Sequence, residues 1–245
     1  MGMAAALRRP HIPVMLKLTP IMLAIGYGLL VWVFSTFRLK HQLKEQSRPL
    51  TDPKLEKAFA RMAEVLDVPP IKVNVFDVEA VNGLAAPDGR IFITKGFYDK
   101  FRLGDVTAEE IASVIAHELG HVALGHSRRR LIDFSGQNAI RVVLASVLGR
   151  FLPFGVGIYV ASALASLVSA RLSRQDEYEA DAYASALLTK SGIGTEAQKS
   201  LFRKLERLTG MEGRATPPVW LLSHPKTEER IKAIEALEAR WQVKG

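Results

Sequence analysis

The sequence predicts a mainly helical α+β domain that is preceded by a hydrophobic N-terminal helix. Residues 18–37 are uncharged and would form a helix of about 30 Å. Short segments of alternating apolar residues, typical of strands, follow between residues 71 and 94. Most of the remaining chain has the apolar spacing of amphipathic helices. The 245 residues suffice for one domain and one anchor.

The composition limits the chemistry that the chain can carry. There is no cysteine, so disulfides and thiolate metal sites are excluded, and any metal site must use His, Asp or Glu. The net charge of +8 suits anionic lipid headgroups or nucleic acid. Because the basic residues are scattered and no basic helix is interleaved with aromatics, we expect membrane lipid as a partner and no nucleic acid.

The N-terminal region is predicted to hold a single membrane anchor. Residues 1–17 form a tail, 18–37 the transmembrane anchor and 38–50 a linker to a domain at 51–245. A cleaved signal peptide is the alternative, but no small-residue cleavage site follows the apolar stretch. Basic residues flank the anchor on both sides, which leaves its orientation open.

The first part of the domain is predicted to contain a small sheet between two helices. Asp52 and Pro53 begin a helix whose apolar stripe comprises Leu55, Phe59, Met62 and Leu66. Strands are predicted at 71–76, 81–86 and 90–94. A capping box of Thr107 and Glu110 begins the next helix, whose core stripe is predicted to be Ile111, Ile115, Leu119 and Val122.

The second part of the domain is predicted to be helical. Residues 127–172 form an apolar helical insertion, in which 151–170 are uncharged and either insert in the membrane or pack against protein. Further helices are predicted at 173–190, 195–208 and 227–241, with a loop before the last of them.

The stretch HELGH at residues 117–121 carries the strongest chemical signal. His117 and His121 are one helical turn apart, so both imidazoles can reach one tetrahedral Zn²⁺. Glu118 can accept a proton from a water at that ion. The competing interpretation is two core histidines beside a solvent-facing glutamate.

A catalytic zinc ion usually needs a third protein ligand, and three residues are candidates. His126 follows His121 by five residues, although it also suits the C-terminal end of the helix. His224 is the second candidate. The third is Glu177, which lies one helical turn before Asp181, so that Asp181 could orient a zinc-bound imidazole.

Three motifs in order, HELGH, SRQDEYEAD and SHPKTEERI, resemble the M48 zinc metallopeptidases, the group of Ste24, HtpX and Oma1. The similarity covers roughly residues 50–240 and implies a zincin fold of the gluzincin type. It implies one Zn²⁺ per chain bound by His117, His121 and Glu177, with Glu118 as general base. It further implies that Asp181 supports a ligand, that His224 stabilises the oxyanion and that Arg230 forms a supporting ion pair. An edge strand for substrate binding would comprise Asn82, Gly83, Leu84, Ala85 and Ala86.

The resemblance implies a membrane-anchored zinc metalloendopeptidase, and the one predicted anchor, in which this chain departs from its better-known relatives, indicates a smaller, singly anchored member of the group. It would hydrolyse peptide bonds of misfolded or membrane-associated proteins with a zinc-activated water, in the bacterial inner membrane. The alternative is a membrane-anchored chaperone or adaptor with a mainly structural zinc site, and a third is a zinc hydrolase acting on a substrate other than peptides. The side of the membrane and the oligomeric state stay open.

Overall fold

The computed structural model describes residues 14–86, 88–126, 156–208 and 227–244. The helices are α1 Val14–Glu45, α2 Pro53–Leu66, α3 Lys95–Arg102, α4 Ala108–Ala123, α5 Val156–Lys190, α6 Glu196–Leu208 and α7 Thr227–Lys244. The strands are β1 Ser47–Pro49, β2 Val73–Phe76, β3 Gly83–Ala85 and β4 Ile91–Thr94. The chain divides into two compact units, Met1–Phe34 with Leu131–Ser169, and Ser35–Arg130 with Ala170–Gly245.

The predicted anchor, residues 18–37, lies within α1, and all but its last three residues belong to the first unit. Large apolar side chains of this part of α1 are exposed, among them Met22, Leu23, Tyr27, Leu30 and Phe34. Within the described ranges, none of the helices has both the length and the apolar character that crossing a bilayer requires. Of the predicted insertion, residues 127–155 lie outside the described residues, and the remainder belongs to α5.

The second unit contains a four-stranded mixed sheet in the order β1-β2-β4-β3. Strand β2 is parallel to β4, whereas β1 and β3 are antiparallel to their neighbours. Strands β2, β3 and β4 confirm the small sheet that alternation predicted. Strand β1 was not predicted, because Ser47–Pro49 has no alternating apolar pattern. The predicted linker 38–50 therefore contains the end of α1 and an edge strand whose Arg48 pairs with Val75.

Helix α2 begins where the sequence predicts. Oδ1 of Asp52 accepts hydrogen bonds from the backbone N–H groups of Lys54 and Leu55, at 3.0 and 3.3 Å. The stripe residues Leu55, Phe59 and Met62 are buried in the core that α2 shares with the sheet and α4. Local capping and apolar periodicity therefore agree with the tertiary packing of this helix.

Helix α4 differs in part from its predicted core stripe. Ile111 and Ile115 are fully buried, but Leu119 is only partly buried and Val122 is exposed. The prediction for Val122 was wrong because the residues from Val122 to Leu124 are exposed, although Gly120 and His121 in the same turn are buried. A single helix, α5, also runs through the boundary that was predicted between residues 172 and 173.

Candidate metal centre

Helix α4 holds two histidines in a fixed relation. Its first turn is closed by a capping box in which Thr107 Oγ1 accepts from the N–H of Glu110, and the Glu110 carboxylate accepts from the N–H of Thr107. His117 and His121 follow one turn apart, with ring centroids separated by 4.7 Å. Both side chains are buried, so their positions are set by packing on the helix and its neighbours.

A carboxylate from α5 completes a group of three donors. The Nε2 atoms of His117 and His121 lie 3.1 Å apart. Glu177 places Oε2 at 3.4 Å from Nε2 of His117 and Oε1 at 3.4 Å from Nε2 of His121. All three residues are more than nine-tenths buried, so the donors face one another and little solvent.

The spacing of these donors fits a small tetrahedral ion. Zinc holds nitrogen and oxygen ligands at about 2.0–2.1 Å, which places neighbouring tetrahedral donors about 3.3 Å apart. The two Nε2 atoms are 3.1 Å apart and each of them has a different Glu177 oxygen at 3.4 Å, distances that agree with that value. Two imidazoles and one carboxylate are also donors that zinc prefers. Nε2 of His117, Nε2 of His121 and the Glu177 carboxylate could therefore hold the ion.

A glycine allows α4 and α5 to approach closely enough for this convergence. A Cβ atom added at Gly120 would lie 3.1 Å from both Cα and the carbonyl oxygen of Ala180. Such contacts are tighter than ordinary van der Waals distances. Gly120 belongs to the HELGH stretch and Ala180 stands three residues after Glu177, so the close approach occurs beside the donors.

His117 is supported from behind by Asp181. Nδ1–H of His117 donates to Oδ1 of Asp181 at 2.9 Å, which leaves the lone pair of Nε2 for a metal. Gln198 Nε2 donates to the same oxygen at 3.2 Å, and Arg230 donates to both oxygens. Arg230, for which the resemblance implied a supporting ion pair, forms one with Asp181 in the structure.

Burial and charge act in opposite directions on the pKa values of this group. Burial alone would raise the pKa of Asp181, but the positive charge and hydrogen bonds of Arg230 hold it at about 2. Burial alone would lower the pKa of His117, but hydrogen bonds to Asp181 and Glu177 raise it to about 9. A metal that binds Nε2 of His117 near neutral pH must therefore displace a proton.

His126 lies behind the other histidine and does not join the three donors. Its Nδ1 is 2.7 Å from Nδ1 of His121, the nitrogen that points away from Glu177. Its Nε2 lies 3.2 Å from Oε2 of Glu179. The sequence favoured an end-of-helix histidine here, but the side chain is fully buried. The sequence feature that could have indicated this burial is Gly125, whose φ of +67° turns the chain after α4 so that His126 packs against His121.

Glu118 lies between α4 and the edge strand β3. Its side chain is buried, and its Cγ is 3.8 Å from the position of a Cβ on Gly83. The same Cβ would meet Cγ1 of Val114 at 2.4 Å, so only glycine lets β3 pack this closely on α4. The side chain of Glu118, which lies between the two histidines in sequence, is thus packed beside β3.

The predicted edge segment from Asn82 to Ala86 lies at one edge of the described sheet, as β3 and its flanking residues. The N–H of Thr94 donates to the carbonyl of Asn82, and the N–H of Ala86 donates to the carbonyl of Arg90. Because antiparallel ladders alternate, the backbone groups of Gly83 and Ala85 point away from β4. Among the described residues, Oδ1 of Asn82 is buried and accepts no hydrogen bond. His224 lies outside the described residues.

Comparison with known proteins gives relatives in one family. The chain is 34% identical over 169 residues to metalloprotease LoiP of Escherichia coli, which is 67% of this chain and 62% of LoiP. It is 30% identical over 194 residues to metalloprotease YcaL of the same organism, covering 74% of this chain and 69% of YcaL. The chain thus spans less than two thirds of LoiP.

Comparison with solved structures supports the fold. The crystal structure of S. mikatae Ste24p matches with a TM-score of 0.59 and 20% sequence identity, over 88% of this chain and 58% of that one.

The sequence model of peptidase family M48 matches residues 49–238. This range includes His117, Glu118, His121, Glu177, Asp181 and Arg230. The chain belongs to peptidase family M48.

Proposed function

We propose that this chain is a zinc-dependent metalloendopeptidase that hydrolyses peptide bonds of misfolded or membrane-associated proteins. The observation that carries the proposal is the convergence of Nε2 of His117, Nε2 of His121 and the Glu177 carboxylate at 3.1 to 3.4 Å, on the helix whose buried Glu118 directly follows His117 in sequence. A purely structural site needs no carboxylate besides its ligands, whereas hydrolysis needs a base, the role proposed for Glu118.

Each residue around the three metal donors has a separate role in the proposed reaction. A zinc ion, when bound, supplies Lewis-acid chemistry that lowers the pKa of a water to about 7 and polarises a carbonyl group. Glu118 accepts the proton of the attacking water and passes it to the leaving amine. Asp181 holds His117 with its Nε2 lone pair directed at the ion, and Arg230 keeps Asp181 ionised. His224 is proposed to stabilise the oxyanion, on the motif SHPKTEERI alone.

An extended peptide is the proposed substrate. Strand β3 lies at an edge of the described sheet, and the backbone groups of Gly83 and Ala85 point outwards from it. A peptide that adds to this edge as a further strand would run along the part of α4 that carries Glu118. Backbone pairing of this kind reads little side-chain sequence, which suits a protease for misfolded proteins.

Membrane anchoring through residues 18–37 is part of the proposal, in the bacterial inner membrane with one pass. Its support is the uncharged sequence of this segment and the exposure of its large apolar side chains in α1. Buried in lipid, these side chains would leave water at about 25 cal/mol per Å² of apolar surface. Proteins of that membrane would then be the substrates within reach.

The test compares wild type with Glu118→Gln, and uses Glu109→Gln, an exposed residue of the same helix, as the matched control. Unfolded casein is the substrate, and elemental analysis measures zinc per chain. We expect one zinc in all three proteins, full cleavage in Glu109→Gln, and a loss of about 10²- to 10⁴-fold in Glu118→Gln. A chelator should abolish cleavage in wild type.

Two outcomes would count against the proposal. Retained proteolysis in Glu118→Gln would remove Glu118 from its role. A wild type that binds zinc, cleaves nothing and suppresses casein aggregation would support the membrane-anchored chaperone instead.

A further inference from the structure

A second cluster of metal-binding residue types lies behind His121. It consists of His126, Asp176 and Glu179, whose donor atoms stand as close to one another as a metal site requires. Nε2 of His126 is 3.2 Å from Oε2 of Glu179 and 3.8 Å from Oδ1 of Asp176. His126 and Asp176 are buried, and Glu179 is partly exposed. The cluster is therefore either a second metal site or a hydrogen-bonded support for His121.

The contact between His121 and His126 decides whether the cluster is a metal site or a support. Nδ1 of His121 and Nδ1 of His126 are 2.7 Å apart, a distance at which two neutral imidazoles share one hydrogen. If His121 gives the lone pair of Nε2 to a metal, its proton must reside on Nδ1. That N–H then donates to Nδ1 of His126, which has to be the unprotonated nitrogen of its ring.

The protonation of Nδ1 in His126 also determines the protonation of its other ring nitrogen, Nε2. A neutral imidazole that accepts at Nδ1 carries its proton on Nε2. That N–H points at Oε2 of Glu179 and donates to it. A protonated Nε2 has no lone pair for a second ion, so a metal on His121 excludes one on His126.

We propose that His126 is a positioning residue that fixes the ring and tautomer of His121 and is itself held by Glu179, and that this cluster takes no second metal while the first is bound. The inference rests on the metal site of the proposed function. Each histidine of that site would then have its own support, Asp181 for His117 and His126 for His121. Gln175 Nε2 donates to Oε1 of Glu179 at 3.0 Å and so steadies the end of the chain of hydrogen bonds.

Three substitutions at His126 distinguish the role of its Nδ1 from that of its Nε2. Asparagine places an amide oxygen near the position of Nδ1 and can still accept from His121. Glutamine reaches the position of Nε2 but offers no acceptor at that of Nδ1, and phenylalanine keeps the ring without either nitrogen. The asparagine and glutamine variants serve as matched controls of similar polarity should His126→Phe fail to fold, which circular dichroism reports.

Zinc affinity, measured by competition with a chromogenic chelator on the full chain, is the main readout. We expect one zinc per wild-type chain, an affinity about 10- to 100-fold lower in His126→Gln and His126→Phe, and only a few-fold loss in His126→Asn. The visible spectrum of bound Co²⁺ should change in the first two variants and not in the third, because it reports the orientation of the ligand.

The result is read against wild type in each case. Affinities within twofold of wild type in all three variants would overturn the inference, as would an equal loss in all three. Two ions in wild type and one in His126→Asn would establish a second metal site instead. If wild type binds at least one zinc, any of these results counts against this inference alone and leaves the proposed function standing. If wild type binds no zinc, both the proposed function and this inference fail.

Discussion

Arg230 donates two hydrogen bonds to Asp181, from Nε to Oδ2 at 2.6 Å and from Nη2 to Oδ1 at 2.7 Å. Both side chains are almost completely buried, and the guanidinium also lies 4.4 Å from the ring centroid of Phe202. Since Asp181 in turn accepts from His117, this pair connects α7 through α5 to the helix that carries the histidines. Its removal should therefore affect both stability and the metal centre.

The stability losses caused by removing the two members of this pair should not be additive. Arg230→Met leaves the Asp181 carboxylate buried without its cation, and we expect the free energy of unfolding to fall by about 3–5 kcal/mol. Asp181→Asn should be similarly costly. The double variant should lose clearly less than the sum, as measured by urea unfolding. Additive losses would show that the two residues are not coupled in the folded protein.

Acid should remove the contribution of Asp181 in a defined pH range. Its pKa is lowered from 3.8 to about 2, so the stabilisation is complete above pH 4 and is lost as the pH falls towards 2. The shift corresponds to about 2 kcal/mol. Urea unfolding of chelator-treated protein should show a steeper fall between pH 4 and 2 in wild type than in Asp181→Asn. Parallel curves would contradict this assignment.

The metal donors were the most predictable part of the site, because helix periodicity fixes the spacing within each helix and the resemblance to M48 implies that Glu177 meets the two histidines. His117 and His121 are one turn apart, and the segment with Glu177 and Asp181 has the same spacing on α5. The structure brings these four side chains together as the motifs suggest. Their roles as ligands and support remain predictions.

The burial of His126 and the strand β1 were not predicted from the sequence, because both depend on contacts with distant parts of the chain. His126 follows the end of α4 in sequence, and its burial against His121 results from the turn at Gly125. Strand β1 has no periodic signal, and it exists because β2 offers it an edge. Tertiary contacts of this kind leave little trace in local residue order.

The close approach of α4 and α5 at Gly120 should be necessary for tight zinc binding. An alanine there would press on the backbone of Ala180 at 3.1 Å, so the helices must separate by a few tenths of an ångström. We expect zinc affinity to fall about tenfold in Gly120→Ala, although alanine favours helix by about 1 kcal/mol. Gly26→Ala in α1, where a Cβ meets nothing within 4 Å, is the control. Unchanged affinity in Gly120→Ala would show that the interface adapts.

The outward N–H of Ala85 provides a direct test of substrate binding by strand addition. Proline is tolerated where an edge strand presents its N–H away from the sheet, so Ala85→Pro should fold and bind zinc like wild type. It removes one hydrogen bond to an extended substrate, worth about 1 kcal/mol, and KM for an unfolded protein should rise about fivefold with kcat unchanged. Ala85→Gly, which keeps the N–H, should have the KM of wild type. If Ala85→Pro cleaves with an unaltered KM, the substrate does not pair with β3 at this position, and its backbone must be held by another part of the chain.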